Sequence, residues 1–264
     1  MHVMTKYPEG VFSWVDLAST DVDAAKAFFS GLFGWSYVDL PTPMGNDYTM
    51  CQIDGKNVAG LSAMPPMLQA QGVPSFWTSY VNHSDVDAIA AKITAAGGQV
   101  MMPPMDVMES GRMLVATDPE GAQFGVWQPN QHIGAQLCNV PNTLVWNELA
   151  TRDSAVASEF YTAVFDWTIT ADESGYGMIS ADSRRQAGMM SMDENWGGIP
   201  AYWGVYFLVE DAGATATKAV ELGGTIINGP FDAGEVGKIV ILTDPAGGMF
   251  SAIQSNVVDA PPGA

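Results

Sequence analysis

The apolar and polar pattern near the start of the chain predicts a strand that leads into a helix. Residues Phe12 to Leu17 form a short run rich in aromatic and apolar side chains, which is typical of a strand. Apolar residues then recur at helical spacing, at Ala24, Ala27, Phe28, Leu32 and Phe33. Thr20 or Asp21 can cap the start of this helix, and Gly34 can end it.

The same pattern returns later in the chain, which indicates a duplication. Leu144–Leu149 repeats the strand, and the helix after it is followed by Trp167, as the first is followed by Trp35. Matched pairs run through both halves: Trp14 with Trp146, Asp16 with Glu148, Tyr48 with Tyr176, Gly60 with Gly188, Tyr80 with Tyr206, and Asp118 with Asp244. A fainter repeat, Asp21–Ala24 and Asp85–Ala88, predicts four units of strand, helix and three strands.

Composition and length fit two globular domains. The 264 residues, 47% of them hydrophobic and 15% charged, suffice for two domains that each bury a substantial interior. We place the first domain at residues 1–132 and the second at residues 133–264. The start of the chain lacks the apolar run of a secretory leader, and no segment is long and apolar enough for a membrane helix, so we expect a cytoplasmic protein.

The net charge limits the partners. At −19, with only 10 Lys and Arg, the chain offers no basic patch for phosphate backbones, so we expect no nucleic-acid or membrane partner. The expected partner is therefore a small-molecule ligand. We expect the protein to be a monomer or a homodimer.

Strand parity singles out two carboxylates as candidate catalytic groups. Trp14 and Asp16 share one face of the first strand, as Trp146 and Glu148 do in its repeat. A carboxylate beside an indole on a buried face is costly unless it is hydrogen-bonded or useful. One interpretation is structural, with each carboxylate paired to a backbone amide, a Tyr hydroxyl, or the basic residue Arg112 or Lys238. The other is that Asp16 and Glu148 act as general acid or base.

The same parity argument supplies candidate ligand-binding residues. Thr78 and Tyr80 line one face of the strand that opens the second unit, and Tyr206 is the repeat of Tyr80. Tyr80 and Tyr206 can donate a hydrogen bond to a ligand oxygen or to a structural partner. Trp127 in the last strand of the first half is answered by Ile253 in the second. With Trp14 and Trp146 these residues form the predicted ligand-binding set.

The chain lacks the usual metal-binding and nucleophile motifs. His2, His83 and His132 are not spaced as metal ligands, and there is no nucleophile elbow, phosphate loop or dinucleotide fingerprint. We therefore predict no metal and no cofactor.

The motifs resemble a known superfamily. The repeated D-x-D-A at the helix start, F-x-x-L-F-G-W at residues 29–35 and D-P-x-G-x-x-F before the last strand are similar to those of the vicinal oxygen chelate superfamily. That group contains glyoxalase I, extradiol dioxygenases and bleomycin-binding proteins. The resemblance implies an α+β fold of two glyoxalase-like domains, each of two βαβββ modules whose curved mixed sheets enclose a cleft.

The resemblance also implies where the family's metal ligands would lie. They fall on Trp14, Thr78, Gly125, Trp146, Gly204 and Ser251. Only Thr78 and Ser251 offer even a weak hydroxyl ligand, so this chain departs from the family pattern and the usual metal site is missing from both halves.

We therefore predict a protein that binds, and in one version transforms, a small apolar or aromatic compound without the family metal. In the catalytic version Asp16 or Glu148 is the acid or base. One alternative is a divalent-metal-dependent lyase, isomerase or dioxygenase with displaced ligands, such as Asp16 or Glu148 with His83. Another is a non-catalytic sequestering protein of the drug-resistance type, and a third is a structural or partner-binding protein.

Overall fold

Four successive units of strand, helix and three strands make up the chain, as the repeat predicts. The structure is a computed structural model that describes residues 2–42 and 45–262. The first unit comprises β1 (Phe12–Ser19), α1 (Val22–Phe33), β2 (Ser36–Pro41), β3 (Asp47–Ile53) and β4 (Lys56–Ala63). After a short helix, α2 (Pro66–Ala70), the second comprises β5 (Phe76–Asn82), α3 (Val86–Ala95), β6 (Gln99–Val107), β7 (Gly111–Thr117) and β8 (Gln123–Pro129).

The second half repeats this order. Its first unit comprises β9 (Leu144–Thr151), α4 (Ser154–Phe165), β10 (Thr168–Ala171), β11 (Gly177–Ala181) and β12 (Arg184–Ser191). Its second unit comprises β13 (Tyr202–Leu208), α5 (Ala212–Glu221), β14 (Thr225–Asp232), β15 (Gly237–Thr243) and β16 (Met249–Ser255). None of the helices in the described residues has the length and apolar character needed to span a membrane.

Each half forms one eight-stranded mixed sheet. The strand orders are β2-β3-β4-β1-β5-β8-β7-β6 and β10-β11-β12-β9-β13-β16-β15-β14. At the centre of each sheet the opening strands of two units pair antiparallel, β1 with β5 and β9 with β13. Each opening strand also pairs parallel with the last strand of its own unit. The predicted α+β fold of two curved mixed sheets is confirmed.

Helix starts follow the capping chemistry read from the sequence. The side chain of Asp21 accepts from the Ala24 amide, and Asp85, Asp153 and Asp211 cap the other long helices in the same way. Of the two candidates, Asp21 rather than Thr20 caps α1. Gly34 ends that helix with φ 72°, a left-handed conformation that glycine adopts without strain.

The two halves share their interiors. Helices α1 and α5 lie in one core, where Phe28 and Phe29 of the first half contact Phe250 of the second. Helices α3 and α4 lie in the other core, where Phe124 contacts Phe160. We expected each domain to bury its own interior. Instead, apolar side chains of both halves line each core.

One buried hydrogen-bond chain is complete in the core of α3 and α4 and incomplete in the core of α1 and α5. Tyr161 Oη donates to Asp118 Oδ2 at 3.1 Å and accepts from Trp203 Nε1 at 2.7 Å. The matched residues in the other core are Phe29, Asp244 and Trp77. Phe29 has no hydroxyl, and Asp244 Oδ2 and Trp77 Nε1 find no hydrogen-bond partner among the described residues.

Strand alternation places the cores and the candidate site on opposite faces of each sheet. Val15 and Leu17 of β1 are buried in a shared core. Trp14 and Asp16 point to the other face, as their parity predicts, where Trp14 belongs to a small separate cluster with Tyr80 and Trp127. The face away from the shared cores therefore carries the candidate chemistry.

Candidate functional site

In the first half, Asp16 lies between two tyrosine hydroxyls. Tyr48 Oη of β3 is 3.2 Å from Asp16 Oδ2, and Tyr80 Oη of β5 is 3.1 Å from the same oxygen. Trp14 Nε1 donates to Tyr48 Oη at 2.8 Å. Both phenols donate to the carboxylate, so Asp16 is held by hydrogen bonds, with no cation within salt-bridge distance among the described residues.

The second half repeats the arrangement with a longer acid. Tyr176 Oη donates to Glu148 Oε2 at 2.7 Å, and Tyr206 Oη donates to Glu148 Oε1 at 2.6 Å. Trp146 Nε1 is 3.3 Å from Tyr176 Oη. Here each carboxylate oxygen accepts one hydroxyl, and these hydrogen bonds are shorter than those in the first half.

A glycine beside each carboxylate makes room for one of its tyrosines. Gly60 of β4 pairs with Asp16, and Gly188 of β12 pairs with Glu148. A side chain at Gly60 would overlap Tyr48 Oη, and one at Gly188 would overlap Tyr176 Oη. Because each glycine has no side chain, it leaves the space that the matched tyrosine hydroxyl occupies.

Burial shifts the pKa of both acids upward. It raises the pKa of Asp16 to about 6, and the hydrogen bonds from Tyr48 and Tyr80 offset part of that rise. Burial likewise raises the pKa of Glu148, again partly offset by its two tyrosines. Desolvation and the adjacent carboxylate raise the pKa of each partner phenol, so these hydroxyls stay protonated donors.

A histidine packs against the tryptophan that shares a face with Asp16. The ring of His132, from the segment after β8, lies edge-on against Trp14 at 4.5 Å and Trp127 at 5.6 Å between ring centroids. Trp127 Nε1 donates to the His132 carbonyl at 2.8 Å. Trp14 is 3% exposed, and burial lowers the pKa of His132 to about 4, which keeps the ring neutral. His132 and Trp127 therefore cover Trp14 in the first half.

The corresponding space in the second half is a cavity of about 530 Å³. It is lined by Trp146, Glu148, Tyr176, Tyr206, Ile253 and Val257, and by Val11 and Phe12 of the first half. Trp146 is only half-buried, and Ile253 stands where the first half has Trp127. The volume lies within the roughly 300–1,000 Å³ typical of small-molecule sites.

Other residues predicted for the site have local partners. Thr78 is paired with Asp16 across the strands, and its hydroxyl accepts from Gln123 at 3.0 Å. Arg112 binds Asp87 and Asp106, both at 2.9 Å, and Lys238 is exposed. Neither Arg112 nor Lys238 pairs with Asp16 or Glu148, so the expectation that a basic residue holds these carboxylates is wrong. The alternative partner, a Tyr hydroxyl, matches the observed contacts.

Four residues of the site were missed by sequence reasoning. Tyr48 and Tyr176 were seen only as matched pairs in the repeat, although that match, next to matched glycines, was a usable signal. His132 lies in a linker without any periodicity. Arg184, at the rim of the cavity, is the first residue of β12 and carried no motif.

The donor sets do not fit the divalent metal of the family. Each offers one carboxylate, two protonated phenols and an indole N–H, where a transition metal would need several imidazole, thiolate or carboxylate ligands. His83 is engaged elsewhere, with Nε2 3.5 Å from Glu9 and Nδ1 accepting from the Asp85 amide. Within residues 2–42 and 45–262, no three His, Cys, Asp or Glu side chains are grouped closely enough to hold a metal.

Comparisons of sequence and structure agree with this architecture. The "Putative glyoxylase CFP32" of Mycobacterium tuberculosis is 43% identical over 255 residues, which cover 95% of this chain and 97% of that protein. The "Anthracycline biosynthesis protein DnrV" of Streptomyces peucetius is 36% identical over 265 residues, which cover 95% of each chain.

Solved structures share the fold at low identity. The Mn(II)-bound glyoxalase from Novosphingobium aromaticivorans aligns with a TM-score of 0.63 and 18% identity, covering 96% of this chain and 86% of that one. The 2,3-dioxygenase LapB from Pseudomonas sp. KL28 aligns with a TM-score of 0.64 and 14% identity, covering 96% of this chain and 95% of that one.

A family sequence model covers both halves. It matches residues 11–126 and 143–251 and is described as the Glyoxalase/Bleomycin resistance protein/Dioxygenase superfamily. With both repeats matched and relatives alike over nearly the whole length, the chain belongs to the Glyoxalase/Bleomycin resistance protein/Dioxygenase superfamily.

Proposed function

We propose that this protein binds a small apolar or aromatic compound in the cavity of its second half, without the family's metal, and that Glu148 exchanges a proton with that compound. The observation that carries the proposal is the contrast between the halves. His132 packs against Trp14 and Trp127 in the first half, whereas in the second half Trp146 and Glu148 line a cavity of about 530 Å³. On this proposal Asp16 has a structural role.

The cavity wall supports an apolar, ring-containing ligand. Trp146 presents an indole to the cavity, and Val11, Phe12 and Ile253 add apolar surface around it. Planar rings bind well against such aromatic walls. The name of the relative DnrV points the same way, because anthracyclines are fused-ring aromatic molecules.

Glu148 is suited to proton exchange. Burial raises its pKa, which brings the acid nearer to neutrality, where a general acid or base works best. Tyr176 and Tyr206 each donate to one oxygen of Glu148, so they fix its orientation and stabilise its charged form. Each carboxylate oxygen retains a lone pair for a ligand proton.

The binding proposal can be tested with a neutral aromatic probe, N-phenyl-1-naphthylamine, which brightens in apolar sites. Ile253→Trp copies the first-half residue Trp127 into the cavity wall, and we expect it to weaken probe binding by about tenfold or more. The matched control is Ile241→Val, a small change of a β15 residue that does not line this cavity. Equal binding by the wild type and Ile253→Trp would overturn the proposal.

The catalytic part has its own readout, the identity of any retained compound. The compounds released from freshly purified wild type and Glu148→Gln, compared by chromatography and mass spectrometry with each other, should differ in structure, because the variant would hold untransformed compound. Bound metal would appear in native mass spectra of the same proteins and would contradict the metal-free proposal. The same compound, by both retention time and mass, in the two proteins would instead identify the sequestering alternative.

A further inference from the structure

A segment of the chain itself crosses the cavity of the second half. Residues 256–262, which we call the C-terminal strap, follow β16 and contribute Val257, Asp259 and Pro262 to the lining. Pro262 is buried. Arg185 Nη2 lies 2.8 Å from Asp259 Oδ1, and Arg184 Nη2 donates to the Ala260 carbonyl. Two neighbouring arginines therefore hold the strap.

The arginines are unusual in this chain. They are two of only 10 Lys and Arg in a protein of net charge −19, and both line the same cavity. A register shift interrupts the alternation of β12 between Arg185 and Ala187. Arg185 is paired with Ser180 and Gly188 with Met178, so Arg185 shares the face that carries Glu148. Arg184 Nε is buried and finds no hydrogen-bond partner among the described residues.

From this arrangement we infer that Arg184 and Arg185 form an anion subsite, which the strap occupies in place of the acidic group of an aromatic ligand. The inference rests on the proposed function and names its ligand class, an aromatic carboxylate or sulfonate. A guanidinium fork is suited to such groups because it donates two parallel hydrogen bonds to a planar acid. Asp259 presents a group of this kind to Arg185.

The spacing along β12 sets the length of the ligand. Glu148 is paired with Gly188, which is level with Met178 of β11, whereas Arg184 is level with Ala181, three residues along that strand. At about 3.3 Å per residue, the two levels are roughly 10 Å apart. A fused-ring body spans that distance, with its acidic group at the arginines and its other end at Glu148, so the two negative charges stay apart.

The remaining carboxylates of the cavity do not favour a cation instead. Asp172 is committed to its own turn, where it accepts from the Ser174 hydroxyl at 2.6 Å and from the Ser174 and Tyr176 amides. Glu235 is exposed at the rim. Tyr176 and Tyr206 already donate to the two oxygens of Glu148.

Both the strap and the matching segment of the first half are held by hydrogen bonds to the rest of the fold. After β8, Ala135 N donates to Ser13 O at 2.8 Å and Gln136 N to Asn57 O at 2.7 Å, which fix the segment that carries His132. In the strap, Asn256 N donates to Val236 O at 2.9 Å and Asn139 Nδ2 donates to the Asp259 carbonyl at 2.9 Å, besides the contact from Arg184 to Ala260. The side chain of Asp259 is held by Arg185, and the two side chains are 36% and 49% exposed. Exposed pairs of this kind contribute little stability, so a ligand acid can displace the Asp259 side chain.

Two dyes with the same ring body test the inference. 8-Anilinonaphthalene-1-sulfonate carries an acidic group that N-phenyl-1-naphthylamine lacks, so the ratio of their affinities isolates the contribution of the anion. We expect Asp259→Asn to shift this ratio toward the sulfonate by about two- to fivefold. Arg184→Gln and Arg185→Gln should shift it the opposite way by at least as much. Lys218→Gln and Glu221→Gln, which remove one charge each from α5, serve as controls.

The outcomes separate this inference from the proposed function. If the neutral dye loses binding in Ile253→Trp but the affinity ratio is the same in all charge variants, the anion subsite is wrong and the cavity proposal stands. If neither dye responds to Ile253→Trp, both fail. Circular dichroism of each variant shows whether it is folded, and the two arginine variants provide independent tests of the same subsite.

Discussion

At the scale of single residues, Phe29 and Tyr161 show how one hydroxyl distinguishes two otherwise similar cores. Tyr161 connects Asp118 to Trp203, whereas Phe29 leaves Asp244 Oδ2 and Trp77 Nε1 without partners among the described residues. An unsatisfied buried polar group costs about 1–3 kcal/mol. The core that contains Phe29 is therefore open to improvement.

Phe29→Tyr should complete the second hydrogen-bond chain. We expect the new hydroxyl to donate to Asp244 and accept from Trp77, and to raise the free energy of unfolding by about 1–2 kcal/mol. The reciprocal change, Tyr161→Phe, should lower it by about 1–3 kcal/mol. Urea denaturation measures both. A stabilising Tyr161→Phe would contradict the assigned network.

The carboxyl of Asp16 should leave a mark on stability as a function of pH. Because burial raises its pKa from 3.8 to about 6, the folded state favours the protonated acid, and stability is lost as pH rises through that range. The free energy of unfolding of the wild type, minus that of Asp16→Asn, should fall by roughly 2–3 kcal/mol between pH 4.5 and 7.5. A flat difference would show that Asp16 is solvated.

Residue identities in the site were partly accessible from the sequence. Parity on β1 predicted that Trp14 and Asp16 share a face, and the repeat transferred this to Trp146 and Glu148. The tyrosine partners required knowing that β3 comes within reach of β1 across β4, which no local pattern specifies. For Tyr80 the sequence left a ligand oxygen and a structural partner open, and the Tyr80 hydroxyl donates to Asp16.

At the scale of elements, the sites depend on close approach between a tyrosine and a neighbouring strand. Gly60 on β4 and Gly188 on β12 leave the space that Tyr48 and Tyr176 occupy. Alternation and capping residues predicted the elements themselves, since both are properties of short windows. The route of His132 into the first-half site could not be predicted in this way, because an aperiodic linker carries no signal of where it packs.

Gly188→Ala should disturb the second-half site selectively. A methyl group there overlaps Tyr176 Oη and approaches Trp146 Nε1 to 3.1 Å, so Tyr176 must leave Glu148 or the strands must separate. We expect a loss of about 1–3 kcal/mol in stability together with weaker binding of the aromatic probe. Gly198→Ala, where the added methyl meets nothing within 4 Å, is the control. Unchanged probe binding in Gly188→Ala would contradict the conclusion that Gly188 makes room for Tyr176 beside Glu148.

At the scale of the whole molecule, the shared cores join the two halves into one unit. Helical periodicity correctly showed which face of each helix is apolar, but it does not say which sheet covers that face. In the fold, α1 packs with α5 and α3 packs with α4, so the partners come from different halves. This pairing is a property of the assembled chain, which explains why the sequence suggested separate interiors.

The chain should therefore unfold in a single transition. We expect far-ultraviolet and near-ultraviolet circular dichroism to give coincident denaturation curves. Phe250→Ala, in the second half, should move the whole curve by about 3–5 kcal/mol because it opens a cavity beside Phe28 and Phe29 of the first half. Two separated transitions, of which only one responds to Phe250→Ala, would show that the halves fold independently.

The half-buried indole of Trp146 gives the protein a built-in optical reporter. Trp14, Trp35, Trp77, Trp127, Trp167 and Trp203 are each at most 8% exposed, and their surroundings are fixed by packing. Trp146 instead borders the cavity, so its emission should change in wavelength and intensity when a ring stacks against it. Energy transfer from this indole to a bound naphthalene would report occupancy of the cavity without a label on the protein.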